Sequence, residues 1–151
     1  MPDQNAIPKL FIINYYKELY SHIDEKTIGS RIRKSRLSKG LSQLDLSRLT
    51  GLSEGAIHGY ETNTIHPSKS ALEKLGQVLN LNYICSDGYS KFLLSNYPEK
   101  LRMWRNKKNI SMIKASEILG VGKSTYASWE NETYSVSKNY YYKLIHFFKK
   151  L

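Results

Sequence analysis

Residues 120–125 read Gly-Val-Gly-Lys-Ser-Thr, and Gly-Lys-Ser is the close of a phosphate-cradling loop. Such a loop surrounds nucleotide phosphates with backbone N–H groups and adds a lysine. It needs the full spacing G-x-x-x-x-G-K-S/T, entered from a strand. Five residues before Gly122 stands Glu117, not glycine, and residues 111–119 carry a helical pattern. No βαβ pattern follows, and no acidic residue at a strand end is placed to hold Mg²⁺. Nucleotide hydrolysis is therefore set aside. Cys85 is the single cysteine, which rules out an internal disulfide, and no second Cys or His cluster makes a zinc site around it. His22 and His146 have no ligand partners at useful spacing. The sequence predicts no catalytic residues, no metal and no cofactor.

The chemistry must then lie in binding, and charge gives its direction. The 151-residue chain has a formal net charge of +10. Residues 1–82 carry 11 Lys+Arg against 8 Asp+Glu, a net of +3, and residues 83–151 carry 12 against 5, a net of +7. An excess of this sign fits a polyanion, most often nucleic acid. No apolar run approaches the ~20 residues that span a bilayer, so no membrane is expected. Asp3 stands where a signal peptide wants positive charge, and the apolar run of residues 10–13 is too short for a leader. The expected location is cytoplasmic.

Gly-Val-Gly-Lys-Ser-Thr acquires a context once the chain is laid against itself. A shift of 69 residues aligns 28–82 with 97–151 without a gap and gives 12 identities, among them Arg36/Arg105, Ser42/Ser111, Gly51/Gly120, Glu61/Glu130 and Leu75/Leu144. Apolar character is kept at many more places, including Ile32/Leu101, Leu46/Ala115, Ile57/Tyr126 and Tyr60/Trp129. One unit of about 55 residues is thus present twice. Residues 1–27 precede the copies as a helical segment, and 83–96 read as a linker.

Each unit reads as helical. Ile28, Ile32, Ser35 and Arg36 share a face of a first helix that closes near Lys39-Gly40. Ser42 caps a second helix with Asp45 in its first turn, and Leu44, Leu46 and Leu49 lie along it. Gly51 marks a turn, Ser53 caps a third helix, and Ile57 and Tyr60 point inward. Ser70 with Glu73 reads as a further capping box. Pro98 falls in the first turn of the second copy's opening helix. A helix at about 8–22 has Ile12, Tyr16, Leu19 and Ile23 along one face, to pack on a domain or on a second chain. In the aromatic tail, Tyr141, Leu144, Ile145 and Phe148 form one stripe, read as core rather than a base-stacking platform.

Two helices joined by a short turn around glycine, the second followed by a serine-capped helix, make a helix-turn-helix. The stretch Leu41 to Asn63 resembles the lambda-repressor/Cro-like (XRE) family. Leu41-Ser42-Gln43, Ser47, Gly51, Leu52-Ser53 and Tyr60-Glu61 fill that family's pattern. Ile110 to Glu132 is similar, departing where Met112 replaces the glutamine and Gly122 the capping serine. The resemblance implies an all-α fold of two tandem four- to five-helix domains. It also implies buried ion pairs, Arg36 with Glu61 and Arg105 with Glu130. For Gln43 it implies a contact with phosphate or base.

With Ile57 and Tyr60 turned to the core, Glu54, Gly55, His58 and Gly59 are expected at the major groove, with Ser53 at the phosphate edge. The second copy offers Lys123, Ser124, Ala127 and Ser128, with Thr125 beside them and Lys114 nearby. The resemblance implies a transcriptional regulator that binds double-stranded DNA, read here as a repressor of a phage or mobile element. It works either as a homodimer or as a pseudo-dimeric monomer carrying both readers. In the alternative reading one copy binds DNA and the other serves dimerisation or a partner protein. No small-molecule substrate is expected.

Overall fold

The computed structural model describes residues 9–148, with side chains at position 12 and from position 14 onward. The Asp3 stretch, the first residue of the helix expected at 8–22, and residues 149–151 lie outside the described residues. Among the described residues there are eleven α-helices and no strand, so the chain is all-α. It divides into two units between Ser86 and Asp87.

The first unit holds α1 (Lys9–Ser21), α2 (Ile28–Ser38), α3 (Gln43–Thr50), α4 (Glu54–Glu61), α5 (Lys69–Gly76) and α6 (Leu81–Ile84). Its helix starts are written in hydroxyls. Thr27 caps α2, Ser42 caps α3 in a reciprocal box with Asp45, and Ser53 caps α4 by accepting from the Ala56 N–H. The box expected at Ser70 does not form: Ser68, two residues earlier, caps α5 by accepting from the Ala71 N–H, and Ser70 lies inside the helix. Pro67, just before the cap, disfavours helical backbone at His66, the residue that precedes it. Gly51 ends α3 with φ of 69°, the left-handed residue that turns the chain into α4. Ile32, Leu46, Ile57, Leu72 and Leu75 are completely buried, whereas Leu44 and Leu49 face solvent.

The second unit holds α7 (Gly88–Leu94), α8 (Tyr97–Lys107), α9 (Met112–Leu119), α10 (Lys123–Glu130) and α11 (Lys138–Phe148). Gly120 closes α9 with φ of 65°, matching Gly51. Leu46 becomes Ala115 and Ile57 becomes Tyr126, a loss of volume on α9 set against a gain on α10, two helices that pack together. Such compensation keeps a core filled. Trp129 and Leu144 complete the burial.

The stretch 83–96 is not an extended spacer. Its first residues finish α6, its middle forms α7, and only Cys85–Asp87 lies between those helices. Burial explains this: Ile84 and Cys85 belong to the first core, and Tyr89 and Leu93 to the second. Tyr89 Oη donates to the Val136 carbonyl at 2.8 Å, tying α7 down before α11. α1 packs on α2. Ile12 and Leu19 on α1 are each 41 % exposed, so the expected apolar face is only partly covered.

Candidate nucleic-acid interface

Each helix-turn-helix is braced from below by one ion pair. Arg36 Nε donates to Glu61 Oε1 at 2.6 Å and Nη2 to Oε2 at 2.9 Å, while Nη1 reaches the Leu41 carbonyl at 2.6 Å. Arg105 repeats the fork on Glu130, at 2.8 and 3.1 Å. The fork ties the opening helix of each copy to the end of the helix that would enter a groove. Planar guanidinium against carboxylate fixes angle as well as distance.

The third donor to the carboxylate differs between the copies. Gln43 Nε2 donates to Glu61 Oε2 at 2.9 Å, so the residue expected at phosphate is bound inward, to the ion pair. Met112 has no such donor. There Tyr126 Oη donates to Glu130 Oε1 at 2.6 Å from within α10 itself. Burial would raise the Glu130 carboxyl, but the hydrogen bonds from Arg105 and Tyr126 outweigh it and hold it below the usual carboxylate range. Desolvation, together with the bond to Glu130, pushes the Tyr126 hydroxyl well above its ordinary value.

On the outer face of α4, Ser53, Glu54, Gly55 and His58 are exposed. Gly59 is buried against the loop that follows, where an added Cβ would stand 2.8 Å from Ile65 Cδ1. The expected groove face thus loses Gly59, which serves loop packing, while Gln43, half-exposed, also serves the ion pair. Sequence spacing placed Gly59 outward because it does not show the returning loop.

On α10, Lys123 and Ser124 are exposed, and Thr125, Ala127 and Ser128 are partly so. Lys114 is exposed and pairs with Glu117 at 3.1 Å, a surface contact worth little. Glu54 and Lys123 occupy the same first helical position, and there the helix dipole separates them. A carboxylate at a helix N-terminus is favoured, and an ammonium is disfavoured by about 0.3–1 kcal/mol. Helix electrostatics therefore accounts for Glu54 without any ligand. It does not account for Lys123, which has no ion pair among the described residues.

Beside α10 lies a groove of 370 Å³ that sequence reading missed. Ser124, Thr125 and Ser128 form one wall, and Tyr134, Ser135, Ser137 and Tyr140 the other, over Trp129. Every lining residue but Trp129 carries a hydroxyl. The signal was in the repeat: Ser128 stands over Gly59 and Tyr134 over Ile65. Ile65 packs against Gly59, whereas Tyr134 is 73 % exposed.

None of the described helices is long and apolar enough to cross a membrane. Comparison with curated proteins and with solved structures returned no match. A family model described as helix-turn-helix matches residues 32–83 and again 101–150. Those spans hold α3 with α4 and α9 with α10, the pairs that the two ion pairs brace. The chain therefore belongs to the lambda-repressor-like (XRE) helix-turn-helix family of DNA-binding transcription regulators, with two tandem copies of the domain.

Proposed function

We propose that the chain is a sequence-specific repressor of a phage or mobile element, and that its second copy is the principal DNA anchor. The observation that carries this reading is Lys123. It is a solvent-facing cation at the first position of α10, set against the helix dipole, beside a groove lined with hydroxyls. Lys123 takes a phosphate or a guanine edge, Ser124 and Ser128 donate to either, and Ala127 meets a thymine methyl. Thr125 and the Tyr134 loop extend the contact along the backbone.

The first copy reads rather than holds. Ser53 and Gly55 approach the backbone, His58 faces the groove, and Glu54 accepts from a cytosine amino group. Because the two outer faces differ, the operator is asymmetric. Two observations favour the second reading, in which the first copy serves dimerisation or a partner protein: Gln43 is tied to Glu61, and the exposed face of α4 carries no lysine or arginine.

Selection of binding sites from random duplex DNA, with the mass of the complex measured alongside, tests the proposal. One chain on an asymmetric site of two half-sites supports tandem reading. A palindromic site holding two chains supports the alternative. No enriched sequence at all contradicts sequence-specific binding.

A further inference from the structure

The outer faces of the two copies differ at two positions that carry charge or can acquire it. The repeat lays Glu54 over Lys123 and His58 over Ala127. Residues four apart share a helix face, so Glu54 and His58 are neighbours on α4, and both are exposed. Glu54 is the one charged side chain of that face at neutral pH, and its sign opposes a polyanion. His58 is the one group there that can offset it. A proton on the imidazole sets a positive charge one turn from the carboxylate and makes the pair neutral.

Among the described residues no hydrogen bond or ion pair holds the His58 ring. α4 packs on α2 and α3. There Arg36 is held by Glu61, Lys34 pairs with Glu25 at 2.8 Å, and the Asp45 carboxylate accepts from the Ser42 N–H at 2.9 Å. Arg33, Lys39 and Arg48 are exposed cations. Their charges stay fixed across the range where histidine ordinarily titrates, near about 6.5. In the loop after α4, His66 Nδ1 lies 2.9 Å from the Pro67 carbonyl. His66 is thus the other imidazole close to α4.

We propose that the first copy is a proton-linked reader of DNA, in which His58 enters the complex as the imidazolium. This rests on the proposed contact of the outer face of α4 with the major groove. An imidazolium donates from both ring nitrogens, and a carboxylate has room for several donors. One His58 N–H serves Glu54 and the other a guanine O6 or N7, while Glu54 takes the amino group of a neighbouring cytosine. Phosphates on both sides of the groove favour the charged imidazole. The complex then holds a proton that the separated partners lack at neutral pH, so affinity rises as pH falls. The second copy's face of Lys123, Ser124, Ala127 and Ser128 has no group that titrates in that range. Acidity therefore adjusts the reader and leaves the anchor alone.

The test is fluorescence anisotropy of the full chain on its selected duplex at about pH 6, 7 and 8 and constant ionic strength. Affinity at the acid end should exceed that at the alkaline end by about fivefold, the scale of about one third of a proton taken up across the range. His58→Gln, at an exposed position, keeps a neutral donor and acceptor and should remove most of that dependence. His66→Gln should keep it. His58→Lys supplies a fixed charge and should bind at the alkaline end as tightly as the wild type does at the acid end. Equal wild-type affinity at all three pH values overturns the proposal, as does an unchanged pH dependence in His58→Gln. Either result leaves sequence-specific binding and its dependence on Lys123 in place. Absence of sequence-specific binding at every pH removes the proposed function, and this inference with it.

Discussion

Tyr126 donates to Glu130 across one turn of α10, completing with a phenol the carboxylate shell that Gln43 completes with an amide at Glu61. The third donor has moved from the preceding helix into the helix that presents the outer face. The loss of a glutamine at Met112 and the gain of a hydroxyl at Tyr126 are thus one change. Tyr126→Phe keeps the buried ring and removes the hydroxyl. A hydrogen bond to a charged group contributes about 1.5–3 kcal/mol, and the second unit should lose that much in urea unfolding. Gln43→Met, at a half-buried site, should cost the first unit less.

Removing the arginine tests the fork itself. Arg36→Met and Arg105→Met each leave a buried carboxylate uncompensated, at a cost of about 3–5 kcal/mol. Arg36 and Glu61 are 7 % and 3 % exposed at the side chain, whereas Arg105 is 18 % exposed. Water can partly replace Arg105, so Arg36→Met should be the more damaging. Unit-resolved hydrogen exchange measures both.

Acid should expose Glu130. Its carboxyl is held below the ordinary range because the bonds from Arg105 and Tyr126 outweigh burial. A depressed carboxylate contributes its full stability above the unfolded value, about 4.3, and loses it as pH falls through the lower folded value. Stability of the second unit should be flat from neutral pH to about 5 and fall on the acid side of about 4. Glu130→Gln should be less stable at neutral pH and show a shallower acid limb.

A backbone contact fixes the first unit in another way. A Cβ at Gly29 would stand 2.2 Å from the Tyr60 carbonyl, and Asn63 Oδ1 accepts from the Gly29 N–H at 3.1 Å. Gly29→Ala should therefore destabilise by about 1–3 kcal/mol despite the better helix former. The second copy has Pro98, with no N–H to satisfy, and Glu132 where Asn63 stood. Thermal unfolding of Gly29→Ala checks the direction: a higher Tm would show that the helices can separate freely.

Much of this was legible in the sequence. The shift of 69 residues exposed the tandem copies and the turn glycines, because caps and left-handed residues are local requirements, whereas the pairing of each Arg with its Glu came from the family resemblance alone. The inward partner of Gln43, the burial of Gly59 and the helices within 83–96 were not legible for one common reason. Each depends on what packs against it: the inward carboxylate, the returning Ile65 loop, and the two cores that take up Ile84 and Tyr89. The hydroxyl groove needed the loop's path, which spacing along one helix does not contain.

Lys123→Ala should weaken DNA binding and reduce the slope of log K against log salt by about 1, the release of one phosphate's counterion. Glu54→Ala should leave that slope where it is. If Lys123→Ala leaves both affinity and slope unchanged, the second copy is not the anchor.

The most direct measurement is a hydroxyl-radical footprint of the full chain on its selected duplex at one chain per site. Two protected stretches of unequal strength are expected, ~34 Å or one helical turn apart. The stronger should be lost in Lys123→Ala. A single protected stretch per chain, unaffected by Lys123→Ala, would contradict tandem reading anchored by the second copy.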